Sequence, residues 1–166
     1  MRHIAKILFC LALFALPAAA QSPGTGGDVI LEIDGQVPLP QGESAIRFDQ
    51  AMLEALGLSR ITTSTVFTDG VHEFEGVLAR DLLTSLGAEK ATSVVARALN
   101  DYSIEIPVSD FFAYDVLLAL RMDGKALTVR DKGPIWIVYP RDAFRELQND
   151  RHDSRWVWQL YGLTVK

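Results

Sequence analysis

The feature that most constrains the fold of this chain is a series of short apolar runs, rich in β-branched residues and separated by turn residues. Residues 29–33 (VILEI) are followed by Asp34 and Gly35, and residues 61–67 (ITTSTVF) run into a turn at residues 68–70 (TDG). Runs of this length and composition, bounded by Gly, Asp and Asn, predict β-strands. The same criteria predict strands at residues 46–48, 94–99, 102–106, 135–139, 156–160 and 163–165.

Two short helices are predicted between these strands. Asp49 is placed to cap a helix whose apolar face includes Met52 and Leu53 and which stops at Gly57. A second helix is predicted at residues 78–86, before Gly87. Residues 116–122 are apolar and fit either a strand or a helix. Many short strands with a few short helices predict an α+β fold with a mixed or antiparallel sheet.

The start of the chain predicts export. Residues 1–20 combine Arg2 and Lys6, an apolar stretch and a small-residue end, which is typical of a cleaved signal peptide. Residues 21–27 (QSPGTGG) follow as a flexible lead-in, and residues 28–166 are predicted to form a single domain. We therefore expect a periplasmic protein that is not embedded in the membrane.

Charge and cysteine content restrict the possible functions of the exported chain. Cys10 is the only cysteine and lies in the predicted signal peptide, so the mature chain has no thiolate for catalysis or metal binding. The whole chain has a formal net charge of −5, and removal of Arg2 and Lys6 makes it more negative. An acidic protein is poorly suited to bind nucleic acid or an anionic membrane.

Two groups of possible metal ligands occur in the sequence. They are His72, Glu73 and Glu75, and Asp150, His152 and Asp153. Adjacent charged residues on turns are usually solvated. We therefore predict that both groups belong to the surface and that the protein has no metal site.

Four segments resemble the molybdopterin-binding domain of the sulfite oxidase superfamily. They are FEGVLARDLLTSLGA (residues 74–88), ALNDYSIEIPVSDF (98–111), VLLALRMDGKALTVRDKGPIWIVYP (116–140) and SRWVWQLYGLTV (154–165). Their order and spacing are more specific than any one of them. The resemblance implies a β-rich, sulfite-oxidase-like domain that binds a pterin.

The chain departs from that family at two positions. The family's molybdenum-ligating cysteine falls in a stretch that here reads Thr62, Thr63, Ser64, Thr65, and an Arg that helps to hold the anionic cofactor is here Trp136. With these two departures, the sequence resembles a cysteine-free subgroup of periplasmic pterin-binding proteins. The resemblance implies that the protein senses a pterin for an inner-membrane cyclic-di-GMP synthase/phosphodiesterase, through that enzyme's periplasmic region.

This resemblance, together with the strand pattern, yields a set of predicted pterin-binding residues and no catalytic ones. Ile135 and Ile137 are expected to face the core, so Trp136 is expected to face a cleft and stack on the pterin, although an outward Trp also fits a small packing patch. The remaining candidates are polar. Asn100, Asp101 and Tyr102 are expected to contact the edge of the pterin ring, and Lys132, Ser154 and Arg155 its keto oxygen or its hydroxylated side chain. Thr65 is a further candidate. Asn100 and Asp101 also fit an ordinary hairpin turn, and Arg155 also fits a simple ion pair.

Two alternatives to a pterin receptor remain open at this level. The chain could keep the molybdenum cofactor as an oxidoreductase or as a subunit that carries it. It could instead be an interaction protein with an empty pocket. The ligand predicted here is an unmetallated pterin, with molybdopterin as the less favoured choice.

Overall fold

The structure is a computed structural model that describes residues 26–166. The predicted signal peptide and residues 21–25 of the predicted lead-in lie outside the described residues. The strands are β1 (Val29–Gly35), β2 (Ile46–Asp49), β3 (Ser59–Ser64), β4 (Val71–Leu78), β5 (Ser93–Ala98), β6 (Ser103–Pro107), β7 (Leu117–Met122), β8 (Lys125–Ala126), β9 (Trp136–Val138) and β10 (Leu160–Val165). The α-helices are α1 (Gln50–Glu54), α2 (Ala79–Ser85), α3 (Val108–Ala113) and α4 (Asp150–Asp153). Short 3₁₀ turns occupy Val129–Asp131 and Arg145–Leu147.

These strands form two five-stranded sheets. The first has the order β2-β1-β10-β5-β6, in which β1 and β10 pair in parallel and the other pairs are antiparallel. The second has the order β3-β4-β7-β8, all antiparallel, and β9 pairs with β7 beside β8. The predicted α+β class with a mixed or antiparallel arrangement is therefore confirmed.

Strand β7 lies in the most buried part of the second sheet. Four consecutive residues, Leu117 to Leu120, are buried, so both faces of the strand are covered. Such a continuous apolar run fits a strand enclosed on both sides, which resolves residues 116–122 as a strand. On the neighbouring strand, a Cβ added to Gly76 would lie 2.0 Å from the Leu118 carbonyl oxygen. Only glycine allows β4 to approach β7 this closely.

Helix starts were predicted more accurately than strand ends. The Asp49 carboxylate accepts a hydrogen bond from the Met52 backbone N–H at 2.8 Å, as expected of a capping residue. The strand predicted at residues 61–67 in fact ends at Ser64, and β4 and α3 were not predicted.

Among residues 26–166, no helix combines the length and the apolar composition needed to cross a membrane.

The strand predicted at residues 156–160 is wrong, because β10 begins only at Leu160. Gln159 has φ of 54°, in the left-handed region, which interrupts an extended chain. Residues 157–160 nevertheless run beside β9, since the Ile137 N–H donates to the Val157 carbonyl oxygen and the Leu160 N–H donates to the Ile135 carbonyl oxygen. This irregular segment carries Trp158 out of the sheet.

A histidine joins the start of β4 to the turn between β7 and β8. His72 Nδ1 lies 2.7 Å from Asp123 Oδ2, and its Nε2 lies 2.9 Å from the Asp69 carbonyl oxygen. Two acceptors at the two ring nitrogens favour the protonated imidazolium. The hydrogen bond to the Asp123 carboxylate accordingly raises the pKa of His72.

We predict that this contact makes stability depend on pH above the ordinary histidine range. A pKa raised in the folded state stabilises the protein fully below the unfolded value of about 6.5 and loses that effect as pH rises through the folded value. The melting temperature of the native protein should therefore fall between about pH 6 and pH 9 by more than that of His72→Gln. Equal pH slopes in the two proteins would contradict the assignment.

Candidate functional site

A pocket of about 460 Å³ opens where four separate segments of the chain meet. They are the loop after β3, the β5–β6 turn, α4, and the segment between α4 and β10. The residues that line it are Val66, Phe67, Asn100, Tyr102, Asp150, Asp153, Ser154, Trp156 and Trp158. A volume of this size and a lining rich in aromatic residues are typical of a small-molecule site.

Three aromatic side chains form the apolar part of the pocket. The rings of Phe67 and Trp158 meet edge to face, with centroids 4.9 Å apart, and Trp156 lies 6.5 Å from Phe67. Trp156 is almost fully buried, whereas Phe67 and Trp158 are half-buried. The Lys132 ammonium lies over the Trp158 ring at 5.6 Å from its centroid. This cation–π contact helps to hold the indole in place.

Polar contacts tie the β5–β6 turn to the segment after α4. The Asn100 side-chain oxygen accepts a hydrogen bond from the Tyr102 backbone N–H at 3.1 Å, and the Tyr102 hydroxyl donates to the Ser154 carbonyl oxygen at 2.7 Å. The Ser154 hydroxyl donates to the Arg151 carbonyl oxygen. These bonds set the distance between two walls of the pocket.

Helix α4 brings two carboxylates to the pocket. Asp153 is mostly shielded, with its side chain 16% exposed, and its Oδ1 accepts a hydrogen bond from Arg141 Nε at 3.2 Å. Asp150 is exposed and has no side-chain hydrogen bond or ion pair within residues 26–166. The α4 wall therefore has acidic character.

A buried ion pair lies behind this wall. Asp110 Oδ2 accepts hydrogen bonds from the Tyr139 hydroxyl at 2.9 Å and from an Arg155 guanidinium nitrogen. Both charged side chains are 12% exposed. Burial, and then the adjacent Asp110 charge, raise the pKa of Tyr139 well above its ordinary value. Burial lowers the pKa of His152, whose ring packs 6.1 Å from Tyr139.

The structure brings three of the predicted site residues together in the pocket, namely Asn100, Tyr102 and Ser154. Lys132 lies next to the pocket over Trp158. Phe67, Trp156, Trp158 and the α4 carboxylates were not selected from the sequence as ligand contacts. Trp156 and Trp158 alternate along the strand predicted at residues 156–160, which places both on one face and favours core packing for at least one of them.

Three other predicted residues do not line the pocket. Asp101 occupies the β5–β6 turn with φ of 66°, which fits the alternative of an ordinary turn. The Thr65 hydroxyl is used locally, since it bonds the Thr68 hydroxyl and accepts from the Phe67 backbone N–H. Arg155 pairs with Asp110 in the interior instead of facing the pocket.

The prediction that Trp136 faces away from the core is wrong. Trp136, Ile135 and Ile137 are all 0% exposed. The alternation argument requires one open face, but β9 is covered on both sides. The Trp136 ring packs edge to face against Phe74 at 5.4 Å and against Trp156 at 5.9 Å. Its indole N–H is buried without an acceptor in the described part of the chain.

The two groups of possible metal ligands do not form compact clusters. Within residues 26–166, no three His, Cys, Asp or Glu side chains converge as they would around a metal ion. His72 instead contacts Asp123, and Glu75 pairs with Arg60 and Arg121.

Residues 53–145 match the family described as the oxidoreductase molybdopterin binding domain. The chain belongs to this family. The family description implies a pterin-type cofactor, and the matched range contains the Phe67 and Tyr102 walls of the pocket. No curated protein sequence matches the chain.

Among solved structures, the fold is similar to the sulfane dehydrogenase SoxCD from Paracoccus pantotrophus. The TM-score is 0.58 at 20% sequence identity, over 81% of this chain and 37% of the SoxCD chain. The present chain thus spans little more than a third of that protein. The comparison supports the predicted sulfite-oxidase-like fold.

The pocket fits a pterin ring better than a molybdenum centre. Molybdenum bound through a protein sulfur needs a soft thiolate, and Cys10, which lies outside the described residues, is the only cysteine in the chain. In the stretch where the family's cysteine is expected, Thr63 is 0% exposed and its hydroxyl accepts a hydrogen bond from the Asp142 backbone N–H. The Ser64 hydroxyl donates to the Asp142 carboxylate at 2.6 Å. The aromatic rings, in contrast, suit a flat heterocycle.

We predict that Trp136→Ala mainly destabilises the fold. Truncation of a buried Trp to Ala typically lowers the free energy of unfolding by about 3–5 kcal/mol. The loss should be visible as a large drop in melting temperature or in the urea midpoint. Trp136→Phe should lose less, because it keeps most of the ring contacts and removes the indole N–H that has no acceptor. A stable Trp136→Ala protein that fails to bind neopterin would instead assign Trp136 to the ligand.

Proposed function

We propose that this protein is a non-catalytic periplasmic receptor that binds an unmetallated pterin in the pocket bounded by Phe67, Tyr102 and Trp158. In this proposal it serves as a sensor or regulatory subunit of an inner-membrane cyclic-di-GMP signalling enzyme. The pterin-type ligand follows from the family. The lack of catalytic activity, the periplasmic location and the membrane partner are proposed.

The observation that carries the proposal is an aromatic pocket in a chain whose only cysteine, Cys10, lies in the predicted signal peptide. Phe67 and Trp158 stand perpendicular to each other, so a flat ring can stack on one and meet the edge of the other. Asn100, Tyr102 and Ser154 add polar groups at the same opening. The pocket therefore has the parts needed to hold a bicyclic heterocycle but lacks the soft ligand needed to hold molybdenum through the protein.

Location and partnership are supported by the sequence. Residues 1–20 have the pattern of a signal peptide, and the segments at residues 116–140 and 154–165 resemble the periplasmic pterin-binding subgroup. The acidic charge fits a soluble exported receptor that recognises another protein rather than an anionic lipid surface.

The second candidate is an oxidoreductase, or a subunit, that carries the molybdenum cofactor. The family match and the fold similarity to SoxCD favour it. It would require the cofactor to be held through the pterin alone, because the mature chain offers no sulfur ligand other than methionine. Stoichiometric molybdenum in protein purified from its native compartment would decide for this candidate and against the receptor.

We predict that the pterin affinity depends on Trp158. Stacking of one ring on an aromatic side chain contributes about 1–3 kcal/mol, so Trp158→Ala should weaken neopterin binding roughly ten- to a hundredfold. Quenching of neopterin fluorescence on titration with purified protein measures this affinity. Trp158→Phe should keep most of the binding.

Tyr161→Ala provides a matched control for the loss of a half-exposed aromatic ring. Tyr161 lies on β10 outside the pocket, where its ring contacts Arg97. Its removal should leave neopterin affinity unchanged. If gently purified native protein carries no fluorescent pterin and binds none on addition, the receptor proposal is wrong. That result would favour the alternative of an interaction protein with an empty pocket.

We predict that this gene and the partner's gene act in one pathway. The mature protein should appear in the periplasmic fraction with Gln21 as its first residue. Deletion of the gene should change biofilm formation or surface attachment in the same direction as loss of the membrane enzyme's periplasmic region. Additive effects of the two deletions would contradict a shared pathway, and retention in the cytoplasm would contradict the proposed location.

A further inference from the structure

The pocket is chemically asymmetric. One side consists of the Phe67 and Trp158 rings, and the α4 side presents carboxylates. A carboxylate accepts hydrogen bonds and donates none. The pocket therefore favours a ligand that is flat and that presents hydrogen-bond donors at its edge toward α4.

The two carboxylates differ in how well they are fixed. Asp153 is 16% exposed, and Arg141 Nε contacts its Oδ1, which restrains the side chain. Its Oδ2 has no hydrogen-bond partner within residues 26–166. Asp150 is exposed and free of such restraint. A fixed, shielded acceptor discriminates between ligands more strongly than a mobile, solvated one, because water competes less with the ligand.

Of the cations near the α4 wall, Arg155 and Arg141 are already engaged, and Arg151, the cation on α4 itself, is exposed and does not line the pocket. Arg155 pairs with the buried Asp110, and Arg141 pairs with Asp153 itself. Lys132 lies over Trp158, on the aromatic side. The α4 wall is consequently unfavourable for a phosphate or carboxylate group of a ligand and favourable for an amino group.

We propose that Asp153 accepts hydrogen bonds from the 2-amino-4-oxopyrimidine edge of the bound ring, and that the pocket therefore selects 2-aminopteridines over 2-oxopteridines. That edge carries an exocyclic amino group beside a ring N–H, and two parallel donors match the two oxygens of a carboxylate. Oδ1 can accept a second bond beside Arg141, and Oδ2 is available. Arg141 is a positioning residue that orients Asp153. This inference rests on the proposed pterin-binding function and specifies the recognition of the ring.

A matched pair of ligands tests the inference without changing the protein. Pterin and lumazine have the same bicyclic ring and differ at C2, where pterin has an amino group and lumazine has a keto oxygen. Lumazine would place an acceptor against an acceptor at Asp153. Because hydrogen bonds to charged groups contribute about 1.5–3 kcal/mol, pterin should bind roughly ten- to a hundredfold more tightly. Isothermal titration calorimetry of the mature native protein with each compound measures the ratio.

Two variants assign the selectivity to a residue. In Asp153→Asn, the amide can donate to the lumazine keto oxygen, so the ratio of the two affinities should collapse toward one or reverse. In the control Glu146→Gln, an exposed carboxylate outside the pocket is lost and the ratio should stay near the native value. A merely structural role of Asp153 would weaken both ligands together and leave the ratio unchanged, which overturns the proposal.

The outcomes separate this inference from the function on which it rests. If the native protein binds pterin and lumazine equally, Asp153 does not recognise the 2-amino edge, although the receptor function stands. If Glu146→Gln removes the selectivity and Asp153→Asn keeps it, the assignment to Asp153 is wrong. If neither compound binds the native protein, the proposed function itself is wrong. If Asp153→Asn does not fold, a native ratio near one still overturns the inferred selectivity.

Discussion

The pocket depends on a carboxylate buried behind it. Asp110, on α3, is paired in the interior with Arg155 and accepts a hydrogen bond from Tyr139, which directly follows β9. A buried carboxylate is unfavourable unless it is paired and hydrogen-bonded, and loss of one partner typically costs about 3–5 kcal/mol. Arg155 directly precedes Trp156 in the chain. The requirement to pair Asp110 thus fixes where the irregular segment after α4 begins, and with it the back wall of the pocket.

The other walls are held by polar bonds between segments that are distant in sequence. Asp142 binds the Ser64 backbone N–H and hydroxyl at the end of β3, which positions the loop that carries Phe67. Tyr102 reaches from the β5–β6 turn to Ser154. No wall therefore relies on its local sequence alone, and ordinary loop segments can present a defined surface to a ligand.

The sequence predicted the fold well where local chemistry decides the structure. The Asp49 cap, the strand pair around Asn100 and the helix before Gly87 all depend on turn and capping residues that can be recognised locally. Asn100 and Ser154, both selected from the sequence as candidate pterin contacts, line the same opening, and their contact with a pterin stays a prediction. Trp136 was misplaced because its orientation depends on which faces of β9 are covered, and that is a property of the assembled sheets.

The aromatic wall escaped prediction for a related reason. An alternating pattern at Trp156 and Trp158 suggested a strand, but the left-handed Gln159 prevents regular pairing and turns Trp158 toward Phe67. Left-handed glutamines are rare, so local sequence gives little warning of this turn. Aromatic residues are concentrated in the second half of the sequence, but only the packed structure determines which rings face the pocket.

The loop that shapes the pocket also explains why a metal is poorly accommodated there. In the stretch where the family has its cysteine, the Thr63 and Ser64 hydroxyls bond Asp142, and Thr65 bonds the Phe67 backbone N–H. The Thr63, Ser64 and Thr65 hydroxyls are therefore already used in the structure around Phe67, whereas the fourth residue of the stretch, Thr62, is exposed. To coordinate a metal, the three engaged oxygens would have to leave bonds that form the aromatic wall. A ring-binding surface and a hydroxyl-ligated metal centre are therefore competing uses of the same few residues, and the observed hydrogen bonds favour the ring.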